Sequence, residues 1–221
     1  MKINLKNYDV FIFDWDGTLI SLKLILRINE KAKRFFKKLK ILKNKVYPNK
    51  NLNTLAVDFI DIKNKDFLKK EEFKNTILSF IIDLFFIFSK PKIHKDCIAI
   101  LQKLKENNKK IVLFSNGGEY RIKKELNYFK VNDYFNLVIS ARTLKALKPN
   151  SIGIRLISKY FKIKNQKMLF IGDSVDDMIS GKNAGIDVCA IHDGFDSLLL
   201  LKKVKPKFIF RSIEEFYKNL N

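Results

Sequence analysis

The sequence has very few of the residues that build thiolate or histidine metal sites. Among 221 residues there are two cysteines, Cys97 and Cys189, and two histidines, His94 and His192. Neither cysteine belongs to a Cys-x-x-Cys pair, which argues against a disulfide framework and a thiolate metal site. So few histidines argue against a zinc cluster and a histidine nucleophile. We therefore expect two buried, reduced thiols, with Cys97 in a helix and Cys189 in a strand.

Long apolar runs are also scarce. The most apolar stretch, residues 77–88, is shorter than the roughly 20 residues that cross a bilayer, and it contains Asp83. The amino-terminal residues are polar and show no signal-peptide pattern. We expect a cytoplasmic protein without a membrane partner, in which residues 77–88 form a buried helix rather than an interfacial anchor.

Acidic residues are few relative to basic ones: 23 Asp and Glu stand against 44 Lys and Arg, a formal net charge of +21. Such an excess raises the question of nucleic-acid binding. Most of the cations are lysines spread along the chain, and the densest group, residues 31–40, has its apolar residues at helical spacing. We interpret this group as a solvated helix face, and the charge as favouring small anionic substrates over nucleic acid.

Short apolar runs alternate with helical segments over most of the chain. The predicted strands are residues 10–14, 110–115, 137–140, 168–172, 188–191 and 208–210. The predicted helices lie near residues 94–107, 119–129, 151–161, 177–184 and 197–203. This alternation predicts an α/β fold, a Rossmann-like parallel sheet with helices on both faces.

Residues 21–90 interrupt the alternation with helical periodicity, and Pro91 marks the return to it. We expect a core domain of residues 1–20 and 91–221, and a small α-helical domain of residues 21–90 inserted after the first strand. The chain shows no internal repeat and no low-complexity linker.

The most informative motif is Phe-Asp-Trp-Asp-Gly-Thr-Leu at residues 13–19. Asp14 and Asp16 follow the first predicted strand, and parallel sheets bind ligands at the carboxyl ends of their strands. Two buried neighbouring acids repel each other, and a divalent cation relieves that repulsion. The motif therefore points to metal-assisted phosphate chemistry, with a turn-capping acid pair as the plain alternative.

Three further motifs follow in order. Residues 115–118 are Ser-Asn-Gly-Gly after the second strand, Lys148-Pro149 precedes a helix, and Gly172-Asp173 with Asp177 follows the fourth strand. With these four pieces the chain resembles the haloacid dehalogenase-like phosphohydrolase superfamily, in its phosphoglycolate phosphatase-like branch. The resemblance covers residues 9–20 and about 95–210. It implies that the inserted domain is a helical cap, and that the first strand lies between the second and the fourth.

The resemblance implies that Asp14 is the nucleophile, which forms an aspartyl-phosphate. Asp16 is then the general acid and afterwards the base, and an acid at this position disfavours the dehalogenase and ion-pumping members. The implied cofactor is Mg²⁺, held by Asp14, the main-chain carbonyl of Asp16 and Asp173, with Asp177 holding a metal-bound water. We interpret the neighbouring Asp176 as an acid that stabilises a helix amino terminus.

The remaining implied site residues bind the phosphoryl group. Ser115 and Lys148 are expected to be catalytic and to hold the transferring oxygens, with main-chain N–H groups of Asn116 and Gly117 completing an anion cradle. Lys145 is the alternative to Lys148.

Gly17 and Thr18 complete the first motif. Gly17 permits a tight turn, whereas Thr18 is expected to hydrogen-bond Asp16 and to belong to the phosphate-binding residues. His192 is either at the rim of the site or an ordinary loop imidazole.

The function implied by the resemblance is that of a Mg²⁺-dependent phosphatase. Its substrate would be a small anionic phosphomonoester such as phosphoglycolate, and the chain would act as a monomer or homodimer. Two alternatives stay open: a phosphomutase of the same fold, similar to β-phosphoglucomutase, and a non-catalytic module associated with nucleic acid. The sequence does not identify the substrate or the residues of 21–90 that select it.

Overall fold

The computed structural model describes residues 2–21, 91–140 and 147–221. All of them belong to one compact unit, formed by Met1–Leu22 and Pro91–Asn221. Residues 22–90 and Lys145 lie outside the described residues. The helical cap domain and the apolar helix at residues 77–88 therefore stay predictions.

Six parallel strands form one sheet. They are β1 (Val10–Phe13), β2 (Lys110–Phe114), β3 (Leu137–Ile139), β4 (Met168–Gly172), β5 (Asp187–Ile191) and β6 (Phe208–Phe210). The strand order is β3-β2-β1-β4-β5-β6, with β1 paired to both β2 and β4. The predicted α/β parallel sheet is confirmed, including the place of β1. The order of the strands reverses between β1 and β4, and in such sheets ligands bind outside the carboxyl ends at this point.

Six α-helices flank the sheet in the described part of the chain. They are α1 (Cys97–Glu106), α2 (Glu119–Tyr128), α3 (Ile152–Phe161), α4 (Val175–Asn183), α5 (Leu198–Lys203) and α6 (Ile213–Lys218). Helix α4 begins two residues before its predicted start, because Ser174 caps it in a reciprocal box with Asp177. Helix α6 was not predicted; Ser212 caps it by accepting a hydrogen bond from the Glu215 N–H.

The strands bury apolar residues on both faces, as the continuous apolar runs predict. Phe11 and Phe13 of β1 belong to the core under α1, α2 and α6, whereas Val10 and Ile12 belong to the core under α3, α4 and α5. All four side chains are fully buried, and each burial contributes roughly 1.5–3 kcal/mol. A rigid β1 therefore presents the residues that follow it.

The two ends of the segment outside the described residues lie side by side. Ile20 pairs antiparallel with Ile93, and the His94 N–H donates to the Leu19 carbonyl at 3.0 Å. The chain thus leaves this unit and returns to it at one place, whereas the boundaries of the inserted domain stay predictions.

Both cysteines are free and buried, Cys97 in α1 and Cys189 in β5, as predicted. Among the helices of the described residues, none has the length and apolar character that crossing a membrane requires.

Candidate active site

Three buried carboxylates meet at the carboxyl ends of β1 and β4. Asp14 directly follows β1, Asp173 directly follows β4, and Asp177 lies in the first turn of α4. One carboxylate oxygen of each lies within 4.8 Å of the others. The residues are 6%, 1% and 0% exposed, respectively. The fold therefore brings together, at the point where the strand order reverses, three acids singled out from the sequence.

Lys148 lies among these acids. Its Nζ donates to an oxygen of Asp14 and to an oxygen of Asp177, each at 2.6 Å, and to the Phe114 carbonyl at 3.1 Å. These three bonds use the three donors of an ammonium group. Asn116 fixes the backbone of Lys148, since its Oδ1 accepts from the Lys148 N–H at 3.0 Å and its Nδ2 donates to the Lys148 carbonyl at 3.2 Å. The Asn116 side chain thus positions Lys148, which the sequence analysis did not foresee.

The loop after β2 lies beside this cluster. Ser115 is 2% exposed, and its Oγ accepts a hydrogen bond from the Gly117 N–H at 3.0 Å. Gly118 caps α2 with extended backbone. A hydroxyl and N–H groups at the start of a helix form the kind of loop that holds phosphate oxygens, although that role stays a prediction for Ser115, Asn116 and Gly117.

Separate contacts orient the two acids that follow β4. Asp177 Oδ2 accepts from the Ser174 N–H at 3.0 Å and from the Ser174 hydroxyl at 2.7 Å, within the cap of α4. Asp173 Oδ1 accepts from the Thr18 hydroxyl at 3.1 Å. Thr18 was expected to bond to Asp16, but the chain reverses at Gly17, whose φ is 88°, and the Thr18 hydroxyl bonds to Asp173 instead.

The Asp16 side chain takes part in a different ion pair. The two Asp16 oxygens accept from Nη1 and Nη2 of Arg121 in α2, at 2.8 and 2.5 Å. Arg121 also lies 3.2 Å from Glu125, which accepts from the Trp15 indole N–H at 2.5 Å. The Asp16 carboxylate is therefore outside the three-acid cluster. The ligand atom expected from Asp16 is its main-chain carbonyl, and that assignment stays a prediction.

Comparison with known proteins identifies the family of this chain. A family model described as haloacid dehalogenase-like hydrolase matches residues 8–185. The chain belongs to this family. Asp14, Ser115, Lys148 and Asp173, one from each of the four motifs, all lie within the matched range. The resemblance to the haloacid dehalogenase-like superfamily is confirmed.

Individual relatives of this hydrolase are distant. A phosphoglycolate phosphatase of Neisseria gonorrhoeae is 28% identical over 61% of this chain and 57% of that protein. The pyrophosphatase PpaX of Bacillus cereus is 22% identical over 52% of this chain and 53% of that protein. The chain spans about half the length of these curated relatives. The crystal structure of a predicted phosphoglycolate phosphatase from Haemophilus somnus matches with a TM-score of 0.71 at 20% identity, over 96% of this chain and 97% of that one, which shows the shared fold.

The electrostatics of the hydrolase's acid cluster suit a divalent cation. Burial raises the pKa of Asp14 to about 7, Lys148 opposes this rise, and Asp177 and Asp16 add to it. Burial, together with Asp14 and Asp177, raises the pKa of Asp173 well above its usual range. Burial alone would lower the pKa of Lys148, but Asp14 and Asp177 raise it. Of these three acids, Lys148 pairs with Asp14 and Asp177 only. Ionisation of all three carboxylates would therefore leave net negative charge, and carboxylate oxygens are the ligands that Mg²⁺ prefers.

Asp176 occupies the place that was expected for it, in the first turn of α4. Burial, followed by the charges of Asp177 and Asp196, raises its pKa. An acid in this turn is stabilised by the helix dipole.

The loop after β5 holds Asp173 in place through contacts that no sequence pattern indicates. The Phe195 N–H donates to Asp173 Oδ2 at 2.6 Å, and Asp196 accepts from the Val175 N–H at 2.7 Å. A Cβ at Gly194 would lie 2.3 Å from the Asp173 side chain, so this loop can approach only with glycine there. His192 directly follows β5 and is half-buried. Both interpretations of its role stay open.

Proposed function

We propose that this hydrolase is a Mg²⁺-dependent phosphatase that cleaves small phosphomonoesters through an aspartyl-phosphate on Asp14. The observation that carries the proposal is the buried cluster of Asp14, Asp173 and Asp177 at the carboxyl ends of β1 and β4, with Lys148 paired to Asp14 and Asp177. Such a cluster in the core of a domain is costly unless it binds a cation. An anionic phosphoryl group next to that cation completes the charge balance.

Asp14 acts as the nucleophile in the first half-reaction. An oxygen of its carboxylate attacks phosphorus, the bond from phosphorus to the ester oxygen breaks, and its electron pair leaves with that oxygen. The leaving oxygen takes the proton of Asp16 and departs as an alcohol. Lys148 holds Asp14 in position at 2.6 Å and, together with the 115–117 loop, supplies positive charge and N–H donors to the phosphoryl oxygens.

Asp16 acts as the base in the second half-reaction. It takes a proton from a water molecule, whose oxygen attacks phosphorus. The bond from phosphorus to the Asp14 oxygen breaks, and its electron pair returns to the carboxylate. Inorganic phosphate leaves, and Asp16 is again protonated for the next cycle.

The residues that would hold Mg²⁺ are Asp14, Asp173 and the main-chain carbonyl of Asp16, with Asp177 reaching a metal-bound water. When bound, the ion supplies positive charge that compensates the phosphoryl oxygens and the buried acids. The position of Asp14 and Asp173 after two adjacent strands supports this assignment. Thr18 and the Phe195 N–H orient the Asp173 carboxylate.

The substrate class is inferred from charge and from relatives. A net charge of +21 favours anionic metabolites. Two relatives are named for phosphoglycolate and for pyrophosphate hydrolysis. We infer a small phosphate ester such as phosphoglycolate.

Phosphate release by the purified full chain tests the proposal. The substrates are p-nitrophenyl phosphate, 2-phosphoglycolate, pyrophosphate and hexose phosphates, each with Mg²⁺ and with a chelator, and Asp14→Asn is the matched control. We expect Mg²⁺-dependent release that the control lacks. No release with any substrate and any of Mg²⁺, Mn²⁺ and Co²⁺ would overturn the proposal, as would isomerisation of a hexose phosphate without net phosphate release, which indicates a mutase.

A further inference from the structure

Four side chains form a buried polar network beside the acid cluster. Arg121 lies between two carboxylates. Its Nη1 and Nη2 atoms each donate a hydrogen bond to one oxygen of Asp16. Nη1 also donates to the two oxygens of Glu125, at 3.3 and 3.2 Å. Glu125 in turn accepts from the Trp15 indole. The Arg121 and Glu125 side chains are 8% and 6% exposed, and that of Asp16 is 26% exposed. The network thus runs from the core to the surface of the site and ends on Asp16.

This arrangement differs from an ordinary surface ion pair. Exposed pairs are flexible and contribute little, whereas a forked arginine–carboxylate pair fixes direction as well as distance. Glu125 lies one turn after Arg121 on α2 and prevents the guanidinium from turning away. Burial lowers the pKa of Arg121, but Asp16 and Glu125 raise it above its usual value. The guanidinium is therefore a permanent, oriented charge.

The phosphate-loop glycine leaves room for this arginine. A Cβ on Gly117 would lie 2.4 Å from Nη2 of Arg121. Gly117 is not among the glycines with positive φ, which are Gly17 and Gly185 in the described part of the chain. A larger residue at this position would therefore have to displace the guanidinium, whereas the backbone conformation does not call for glycine. The space is occupied by the guanidinium on its path to Asp16.

We propose that Arg121 is a positioning residue for Asp16, braced by Glu125, and that it fixes the acid–base carboxylate in one orientation during both half-reactions. This inference rests on the proposed phosphatase function. A carboxylate has about four lone-pair sites, and the arginine fork uses two of them, so the remaining sites can exchange a proton with the substrate. Asp16 follows β1 in a turn, and without the fork its side chain is free to take other rotamers.

The size of the effect follows from the role of Asp16. A positioned acid–base group accelerates a reaction about 10²–10⁴-fold, and a misplacement of about 1 Å costs on the order of 10²-fold. We expect Arg121→Met to lower kcat roughly 10- to 100-fold with KM changed less than about threefold. Arg121→Lys keeps the charge without the fork and should recover part of this loss.

Epistasis with Asp16 separates positioning from general damage. If Arg121 acts through Asp16, Arg121→Met should have no further effect in the Asp16→Asn background, because the group that it positions is already gone. A loss that is multiplicative in the double variant would mean that Arg121 acts elsewhere, and would overturn the inference. Arg155→Met, at an exposed arginine of α3, is the matched control and should behave as wild type.

The leaving group provides a second readout. p-Nitrophenolate leaves without a proton, whereas the alcohol of an alkyl phosphate needs one from Asp16. Arg121→Met should therefore lower kcat/KM for 2-phosphoglycolate at least about tenfold more than for p-nitrophenyl phosphate. An equal loss on both substrates would contradict a role through the acid.

The outcomes distinguish this inference from the proposed function. An inactive wild-type protein overturns the phosphatase proposal, whereas an active wild type with an equally active or faster Arg121→Met variant overturns only the role of Arg121. Removal of Arg121 leaves Glu125 buried without its cation, which can unfold the protein. The variant Arg121→Met/Glu125→Gln removes both charges, and emission of Trp15, the single tryptophan, reports whether the core around the network is intact. If this double variant retains its fold, we expect it to lose as much kcat as Arg121→Met does. A folded double variant with wild-type kcat would contradict the inference.

Discussion

Replacement of Asp14 by asparagine should stabilise the metal-free protein while it abolishes turnover. Burial raises the pKa of this carboxyl from 3.8 to about 7, so the buried group resists ionisation. At a pH below the pKa of this carboxyl in the unfolded chain, the group is neutral in both the folded and the unfolded protein, and its contribution to stability is fully present. As the pH rises, the unfolded chain ionises first, and this contribution is lost progressively up to about pH 7.

The expected gain in stability follows from the difference between the folded and unfolded pKa values of Asp14. Each pKa unit corresponds to about 1.4 kcal/mol, so the interval of roughly three units gives a ceiling of about 4 kcal/mol above pH 7. Asparagine keeps an oxygen that can accept the hydrogen bond from Lys148 and carries no charge. The variant should therefore be stabilised by up to about 4 kcal/mol at pH 8, and by less than half of that at pH 5.

Urea unfolding followed by Trp15 fluorescence measures this difference. Wild type and Asp14→Asn are compared at pH 5 and pH 8 in a chelator. Asp9→Asn is the control, because Asp9 precedes β1 and its side chain is 49% exposed. The control should change the free energy of unfolding by less than about 1 kcal/mol. A variant less stable than wild type at pH 8, or a difference that does not depend on pH, would contradict an electrostatic penalty at Asp14.

Three further variants or reactions test other parts of the site. Asp173→Asn should fold, but it should lose the stabilisation that Mg²⁺ gives the wild type, which is about 2.7 kcal/mol at a hundredfold excess over Kd; retention of the full thermal shift would contradict its place as a ligand. Gly194→Ala should displace the Asp173 carboxylate and raise the Mg²⁺ concentration for half-maximal activity about 10- to 100-fold, whereas an unchanged Mg²⁺ titration would contradict the close approach of that loop. Burial raises the pKa of Cys97 to about 12 and that of Cys189 well above its usual range, so a thiol reagent at pH 8 should label neither in the native protein and both after unfolding. Rapid labelling of either in the native state would disprove their burial.

The sheet and the acid cluster could be predicted because their signals are local. Short apolar runs at residues 10–13 and 168–171 end just before Asp14 and the Gly172-Asp173 pair. The topology of a parallel sheet brings such ends together. Lys148 could be singled out among many lysines only through the order of the motifs. Its position between Asp14 and Asp177 then follows from the fold.

Other contacts could not be predicted because they depend on tertiary geometry. Arg121 and Glu125 have the spacing of an ordinary helical ion pair, and nothing in their spacing shows that Asp16 and Trp15 meet them. The Phe195 N–H bonds to Asp173 across the end of the sheet, a contact without a sequence pattern. Thr18 was predicted to bond to Asp16 because the two are neighbours in the motif, but the reversal at Gly17 changed its partner.

In the proposed mechanism, Asp14 carries the phosphoryl group during turnover. The most direct measurement is an acid quench of the enzyme with substrate and Mg²⁺, followed by reduction of acyl phosphates with borohydride and peptide mass spectrometry. Conversion of Asp14 to homoserine is expected in the wild type, with no conversion at that position in Asp14→Asn. Turnover of substrate by a protein in which Asp14 is never modified, or modification at a different residue, would contradict this mechanism.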